Sequence, residues 1–429
     1  MPHKFSDYGP GLAAGDIDGN GLDDIFIGGT GDVPRSYFLQ QKDGKFIKKI
    51  LPFPVDGNIR RPENMGLLLF DADNDGDNDL YCVSGSNESP AQTKNYEDQF
   101  FVNDGKENFT IDTSALPGNY TSKSCIKAVD IDNDGDLDLF IGGRVLPGNY
   151  PQPVSSFIYR NNSKPGKIKF TNVTNEVAKD LNNIGLVCDA IWTDFDNDGL
   201  TDLIVVGEWM APTFFKNENG KLKNITASTG LQNEKGWWNS IVAGDFDNDG
   251  DIDYIVGNLG ENSFFQASKQ YPVNMYAKDF DGNGTSDAII TVYLKDPDGN
   301  KKEFTAFNRD DILAQLPALR KKFPAYKQFA IAGFHDIFSE EELKKALHLQ
   351  ANNFKSCYIE NLGKGKFIMH ALPAIVQVAP VFGMIADDFN KDGNPDVIFC
   401  GNDFGNEAAN GRYDGMNGLV LFWGREGKL

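Results

Sequence analysis

The chain has 429 residues, with 62 Asp and Glu against 41 Lys and Arg and a formal net charge of −21 at pH 7. At 40% hydrophobic residues it can bury a substantial core, which excludes a disordered acidic polymer. No Lys/Arg stripe is long enough to neutralise a run of phosphates, and no segment approaches the roughly 18 apolar residues of a membrane span, so neither nucleic-acid binding nor a transmembrane helix is expected.

In chain order, one nine-residue loop recurs seven times: DIDGNGLDD from Asp16, DADNDGDND from Asp71, DIDNDGDLD from Asp130, DFDNDGLTD from Asp194, DFDNDGDID from Asp245, DFDGNGTSD from Asp279 and DFNKDGNPD from Asp388. Positions 1, 3, 5 and 9 always carry an oxygen-bearing side chain, and position 6 is always Gly. The metal-ligand candidates are Asp16, Asp18, Asn20 and Asp24; Asp71, Asp73, Asp75 and Asp79; Asp130, Asp132, Asp134 and Asp138; and Asp194, Asp196, Asp198 and Asp202. They continue with Asp245, Asp247, Asp249 and Asp253; Asp279, Asp281, Asn283 and Asp287; and Asp388, Asn390, Asp392 and Asp396. This is the donor set of a hard cation, because Ca²⁺ takes about 6 to 8 oxygens and the glycine permits the turn that gathers alternate side chains.

An EF-hand would place a Glu at position 12, where this chain has Ile27, Cys82, Ile141, Val205, Val256, Ile290 and Phe399. The segments around each loop, such as LLLF and DLFIGG, are short apolar β-formers, so each loop is expected to join two buried strands. Four carboxylates in one loop repel by about 4 kcal/mol per pair at ~4 Å and an effective dielectric near 20, so calcium, up to seven ions, is expected to be structural. The donor positions of the loops hold 25 carboxylates, which accounts for the acidity of the chain.

Loop starts at 16, 71, 130, 194, 245, 279 and 388 are separated by 55, 59, 64, 51, 34 and 109 residues. A period near 50 fits a propeller blade of four short strands. From Asp388 through Leu429 and on to Asp16 the separation is 57, another blade length. A Gly-Lys element recurs at Gly44, Gly166, Gly220 and Gly365, and the chain ends in GREGKL and begins with HKFSDY near Met1. The expected fold is therefore all-β: one seven-bladed propeller over 1–429, closed by pairing of its N- and C-terminal strands. Residues 308–351 read as a small α-helical insertion in the sixth blade, with a capping box at Ser339 and Glu342.

Five cysteines, Cys82, Cys125, Cys188, Cys357 and Cys400, have no CxxC spacing and are expected to be buried thiols. Catalytic signatures are thin. There are four histidines and no HExxH, G-x-S-x-G or P-loop pattern.

The DxDxDGxxD loop between strands, repeated about every 55 residues, resembles the FG-GAP or VCBS repeats of the integrin α-subunit propeller. The stretches YPVNMYAKDFDGNGTSDAI, NRDDILAQLPALRKKFPAYKQFA and GRYDGMNGLVLF resemble VCBS-repeat proteins of Bacteroidetes related to the UnbV/ASPIC group. The resemblance implies calcium between the first two strands of each blade, with the seventh site weakened by Asn390 and Lys391. It also implies a secreted or surface location (extracellular, periplasmic or outer-surface), with a signal sequence removed from this chain.

With the calcium loops on one face, the connections on the other are where a ligand is expected, as loops on a rigid scaffold commonly carry function. Arg144, Trp209, Trp237, Trp238, Arg412 and Tyr413 are the ligand-binding candidates, with Arg61, Glu208, Asn258 and Glu407 nearby. Exposed aromatics with Arg and Asn suit sugar rings or a protein partner. Tryptophans packed between blades are the alternative. Three functions fit: a binding module for a glycan or protein, a polysaccharide-degrading lyase or hydrolase, and a structural module of a surface assembly.

Overall fold

The computed structural model describes residues 4–5, 8–51, 62–406 and 411–424. It is all-β apart from short helices, and its antiparallel sheets are propeller-like. The first sheet comprises Leu12–Gly15, Asp24–Ile27, Arg35–Gln40 and Phe46–Leu51, and the second Glu63–Phe70, Asp79–Gly85, Gln99–Val102 and Thr110–Ile111. The third comprises Ser122–Val129, Asp138–Val145, Phe157–Asn161 and Phe170–Asn172. The fourth runs Leu186–Thr193, Asp202–Met210, Thr213–Asn217 and Leu222–Asn224, with Gly236–Trp237 added beside Asp202–Met210.

Every aspartate loop joins the first and second strands of a sheet, in agreement with the sequence expectation. Second strands are the most enclosed: every residue of Asp79–Gly85, Asp138–Val145 and Asp253–Gly257 is buried. A strand covered on both faces by neighbouring sheets needs a continuous apolar run, which these have. Outer strands such as Phe46–Leu51 are mostly exposed. Five apolar clusters each span two successive sheets, for example Phe26 and Tyr37 with Leu80 and Phe101, or Phe140 and Ile158 with Leu203 and Phe215. Glycines close the second strands where the next sheet comes near. A Cβ on Gly85 would meet the Lys123 carbonyl at 2.2 Å, and one on Gly257 the Val381 carbonyl at 2.6 Å.

The order of sheets differs from seven blades in succession. Asp253–Gly257 pairs not with the next strand in sequence but with Cys357–Asn361, Tyr254 lying opposite Ile359. The fifth sheet is thus Ser240–Gly244, Asp253–Gly257, Cys357–Asn361 and Phe367–Ala371, and everything between Gly257 and Cys357 is inserted into it. That insert builds its own sheet, in the order Lys301–Thr305, Asp287–Lys295, Val273–Lys278 and Leu347–Ala351, which carries the sixth aspartate loop. Asn258 ties the two ends of the insert together: its backbone N–H donates to Ser356 Oγ at 3.0 Å and its Nδ2 to the Asn353 carbonyl at 3.0 Å.

Helices Arg309–Gln315, Tyr326–Ala330, Phe334–Ile337 and Glu340–Leu343 lie within the nested sheet's connection, and Ser339 N–H donates to Glu342 Oε2 at 2.7 Å in the expected capping box. Leu347–Ala351, read as the end of the helical stretch, is instead a strand. Its alternating leucines at 347 and 349 lie beside Ala277 and Met275, a period-two pattern that pairing rewards.

The last sheet is Gly383–Asp387, Asp396–Cys400 and Leu419–Leu421. The expected fourth strand from the termini involves residues 1–3, 6–7 and 425–429, which lie outside the described residues. The two ends of the chain do meet near them: Lys4 N–H donates to the Gly405 carbonyl at 3.0 Å, and the Tyr8 and Phe382 rings are 5.3 Å apart.

Cys82, Cys125 and Cys357 are buried thiols as expected, Cys188 is partly buried, and Cys400, at the end of the middle strand of the last sheet, is exposed.

Candidate functional site: aspartate loops and a central cavity

Each loop is built the same way. The position-1 carboxylate accepts from the backbone N–H groups of positions 5 and 6, as in Asp75 and Gly76 to Asp71 at 3.1 and 2.9 Å, and Asp198 and Gly199 to Asp194 at 3.1 and 2.8 Å. The position-5 side chain accepts from position 7, as in Leu200 N–H to Asp198 Oδ1 at 2.9 Å. Both arrangements need the tight turn, in which the position-6 glycine takes a positive φ, 97° at Gly76 and 85° at Gly199.

In the first five loops, three carboxylates each place an oxygen within 4.8 Å of the others: Asp16, Asp18 and Asp24; Asp71, Asp73 and Asp75; Asp130, Asp132 and Asp134; Asp194, Asp196 and Asp202; Asp245, Asp247 and Asp253. All-oxygen, carboxylate-rich clusters fit a hard divalent cation such as Ca²⁺. In the last loop Asn390 Nδ2 donates to Asp392 Oδ2 at 3.2 Å, so part of that donor set is engaged within the loop.

The position-9 aspartates are buried at the start of the second strand. Burial pushes the carboxyls of Asp79, Asp138 and Asp202 up to about 7 and that of Asp253 to about 6, with neighbouring loop carboxylates adding to the effect and backbone N–H donors opposing it. Those donors come from the end of the third strand: Asn103 to Asp79 at 2.9 Å, Asn161 to Asp138 at 2.7 Å, Asn217 to Asp202 at 2.6 Å and Asn361 to Asp253 at 2.7 Å.

The side chains of these four asparagines then reach across to the preceding sheet. Each Nδ2 donates to the carbonyl at position 2 of that sheet's aspartate loop: Asn103 to Ile17 at 2.8 Å, Asn161 to Ala72 at 2.9 Å, Asn217 to Ile131 at 3.1 Å and Asn361 to Phe195 at 2.9 Å. One residue therefore fixes its own loop through its backbone and its neighbour's loop through its side chain. The sequence reading did not find these residues. The available signal was an Asn a few residues before the Gly-Lys elements, as at Asn161, Asn217 and Asn361.

The fourth loop differs in one respect. Lys216, on the third strand of its sheet, is hydrogen-bonded through Nζ to Asp196 and, at 2.6 Å, to Asp198, positions 3 and 5 of the loop. These bonds hold the ammonium above its ordinary range although partial burial opposes the charge.

On the opposite face, a cavity of about 610 Å³ lies where the six successive sheets converge. Leu12, Met65, Ser124 and Asp189, from the first strands of sheets one to four, line it, with Asn239 and Phe382 just before those of the fifth and last. All lie at strand ends remote from the aspartate loops.

Arg144 belongs to this cavity. Its guanidinium is ion-paired with Glu208 and lies over the Phe5 ring at 4.6 Å. Nη1 is buried and has no hydrogen-bond partner among the described residues. Trp209 Nε1 donates to Tyr150 Oη at 2.7 Å, and that hydroxyl donates to Glu208 at 3.3 Å.

The tryptophans are not ligand contacts on an open face. Trp209 (4% exposed) and Trp237 (3%) pack on each other with ring centroids 5.1 Å apart, and Trp237 also meets Phe265 and Phe354 of the insert. They cement the nested sheet to the fourth sheet. Trp238, fully buried, fills the core between the fourth and fifth sheets. Tyr413 is buried with the Trp237 cluster, Asn258 is buried at the root of the insert, and Glu208 is in the buried ion pair. Arg412 is exposed, with its guanidinium 5.6 Å from the ring of Phe404, a cavity-lining side chain that is itself 59% exposed. Of the expected ligand residues, Arg144 lines the cavity, Arg412 lies beside one of its lining side chains, and Trp237 lines a small pocket that shares Tyr8, Asn239, Phe382 and Asp403 with it. Arg61 and Glu407 lie outside the described residues.

FG-GAP-like repeats are found in the chain, over residues 71–141 and 194–256, which include the second to fifth aspartate loops. No curated protein matches the chain. Solved structures that resemble it distantly include an Agrocybe aegerita lectin described as recognising non-reducing terminal N-acetylglucosamine, at 16% identity, covering 80% of this chain and 85% of that one with a TM-score of 0.36. Another is the V. cholerae biofilm matrix protein Bap1, at 12% identity, covering 95% and 79% with a TM-score of 0.33.

Proposed function

We propose that this chain is a calcium-stabilised surface binding module whose ring of sheets holds a glycan terminus in the central cavity. The observation that carries the reading is Arg144: a buried guanidinium lining a cavity of about 610 Å³, with one nitrogen that has no partner among the described residues. A buried donor without an acceptor costs about 1–3 kcal/mol, which a ligand oxygen would recover. The cavity volume falls in the ~300–1,000 Å³ range typical of small-ligand sites and favours one or two sugar rings over a flat protein interface. Phe404 and Phe382 supply aromatic faces for the C–H side of a sugar, while Asn239, Asn402 and Asp403 supply polar groups for its hydroxyls.

The meeting of residues from six sheets around the cavity supports the same reading, since a scaffold of packed sheets holds such a cavity rigidly. Calcium in the aspartate loops is its structural cofactor, and weak Asp-rich sites of this kind suit a calcium-rich location outside the cytosol. Kinship with the VCBS-repeat proteins related to the UnbV/ASPIC group rests on the sequence motifs alone.

The test is a titration of the calcium-loaded protein with a panel of mono- and disaccharides, followed by ligand-observed NMR. Binding is expected for at least one neutral sugar, weakened at least about tenfold in Phe404→Ala, where an exposed stacking face is removed without disturbing the core. Binding unaffected by Phe404→Ala together with Arg144→Gln would place the ligand elsewhere and end the cavity assignment.

A further inference from the structure

We infer that Lys216 is a tethered cation that offsets part of the charge of the fourth aspartate loop and occupies two of its donors, so that this loop takes up calcium more weakly than the four-carboxylate loops at Asp71 and Asp245. The inference rests on the proposed calcium role of the loops.

The fourth loop is as rich in carboxylates as any, with Asp194, Asp196, Asp198 and Asp202 at its donor positions. Its particularity lies on the third strand. Lys216 occupies the place held by Val102 in the second sheet, Arg160 in the third and Glu360 in the fifth, each immediately before the clamp asparagine. The registers agree: Leu203 lies opposite Phe215, Leu139 opposite Tyr159 and Tyr254 opposite Ile359, one residue before the position in question each time.

Only in the fourth loop does this residue bring an ammonium onto two donor carboxylates, with Nζ bonded to Asp196 and lying 2.6 Å from Asp198. Arg160 reaches a single one, Asp132, at 3.1 Å. The lysine stem is fixed at its base, because Phe215 is fully buried and Asn217 is clamped to Ile131. The ammonium is thus supplied without the entropy of recruiting a free ion. Calcium must break two charge-assisted bonds before it reaches positions 3 and 5.

The consequence reaches the other face. The second strand that begins at Asp202 carries Glu208 and Trp209 near its far end, and these hold Arg144 and the nested sheet. A loop whose repulsion is relieved from within would keep this strand turn formed when calcium is scarce.

The experiment is calcium uptake by the full chain, by equilibrium dialysis and calorimetry, for the wild type, Lys216→Met and Lys216→Met with Asp196→Asn. Lys216→Met keeps the aliphatic stem and removes the charge. It is expected to tighten one site by about tenfold or more, seen as an additional ion at limiting calcium, and Asp196→Asn in that background should abolish the gain. An isotherm for Lys216→Met that superimposes on the wild type overturns the inference while leaving the calcium role intact. A wild type that binds no calcium overturns both. Hydrogen exchange of the wild type in chelator gives a second readout that needs no variant. Amides of 194–202 should stay protected while those of 71–79 and 245–253 exchange quickly, and equal exchange in all three loops overturns the inference.

Discussion

Asn217 shows how much one side chain does in this fold. Its Nδ2 donates to Ile131 and Thr201, its Oδ1 accepts from Gly220 N–H at 2.7 Å, and its own N–H caps Asp202. Asn217→Ala leaves the buried carbonyl of Ile131 without this donor, and each buried group so stranded costs about 1–3 kcal/mol. A clear loss is therefore expected in the denaturation midpoint at saturating calcium. Asn182→Ala, which removes exposed hydrogen bonds to Asn175 and the Lys179 carbonyl, should change stability by no more than about 0.5 kcal/mol. Equal effects of the two would mean that the clamp contributes nothing. The tryptophans behave as core. Trp237→Ala and Trp238→Ala should each destabilise by about 3–5 kcal/mol, measured by thermal or chemical unfolding, because both side chains are enclosed by other apolar groups. At this scale the geometry of the aspartate loops was legible because the spacing of their oxygen-bearing side chains is set by one turn repeated seven times. Of the two readings open for the tryptophans, ligand contact and packing between blades, their burial favours packing, and position in a connecting segment could not decide because it says nothing about what covers that segment. The cover of Trp209 and Trp237 is the insert, which sequence spacing placed in a different blade, and that of Trp238 is the joint between the fourth and fifth sheets.

At the scale of the element, the sheet nested inside the fifth sheet is the departure from a simple repeat. The spacing held the clue. The 34 residues from Asp245 to Asp279 are too few to finish a unit that elsewhere takes 51 or more, so the third and fourth strands had to come later. They do, at Cys357–Asn361 and Phe367–Ala371, beyond the helices. Long-range pairing of this kind is invisible to local periodicity, whereas the strand–loop–strand units are local and were readable. The register implies a test. Val256 and Cys357 are cross-strand partners, so the ends of the insert already lie side by side. Replacing residues 260–352 with a short Gly/Asn turn should leave a calcium-responsive protein that still unfolds cooperatively. It should also be less soluble, because Trp209 and Trp237 lose their cover. Calorimetry and size-exclusion chromatography would report both effects. A deletion variant with no cooperative transition in calcium would show that the fifth sheet cannot form without its insert.

For the whole molecule, stability depends on how 25 carboxylates at the loops' donor positions coexist in a chain of net charge −21. Six successive sheets are joined by apolar clusters on their faces and by asparagine clamps at the loop end, so strain in one loop passes to its neighbour through the clamp. If calcium fills the loops, each site held at about 100 times its Kd adds about 2.7 kcal/mol to the folded state. Several sites acting on one cooperative ring should then exceed any single core substitution. Chelation is expected to lower the Tm by on the order of 10 °C or more, and calcium in excess of chelator should restore it. Salt separates the two contributions to that drop. Screening relieves carboxylate repulsion without supplying a ligand, so high NaCl in chelator should recover part of the loss and calcium the rest. Full recovery by NaCl alone would make the loops a repulsive surface that needs screening rather than a set of calcium sites. A Tm indifferent to both would remove the electrostatic account of this fold altogether.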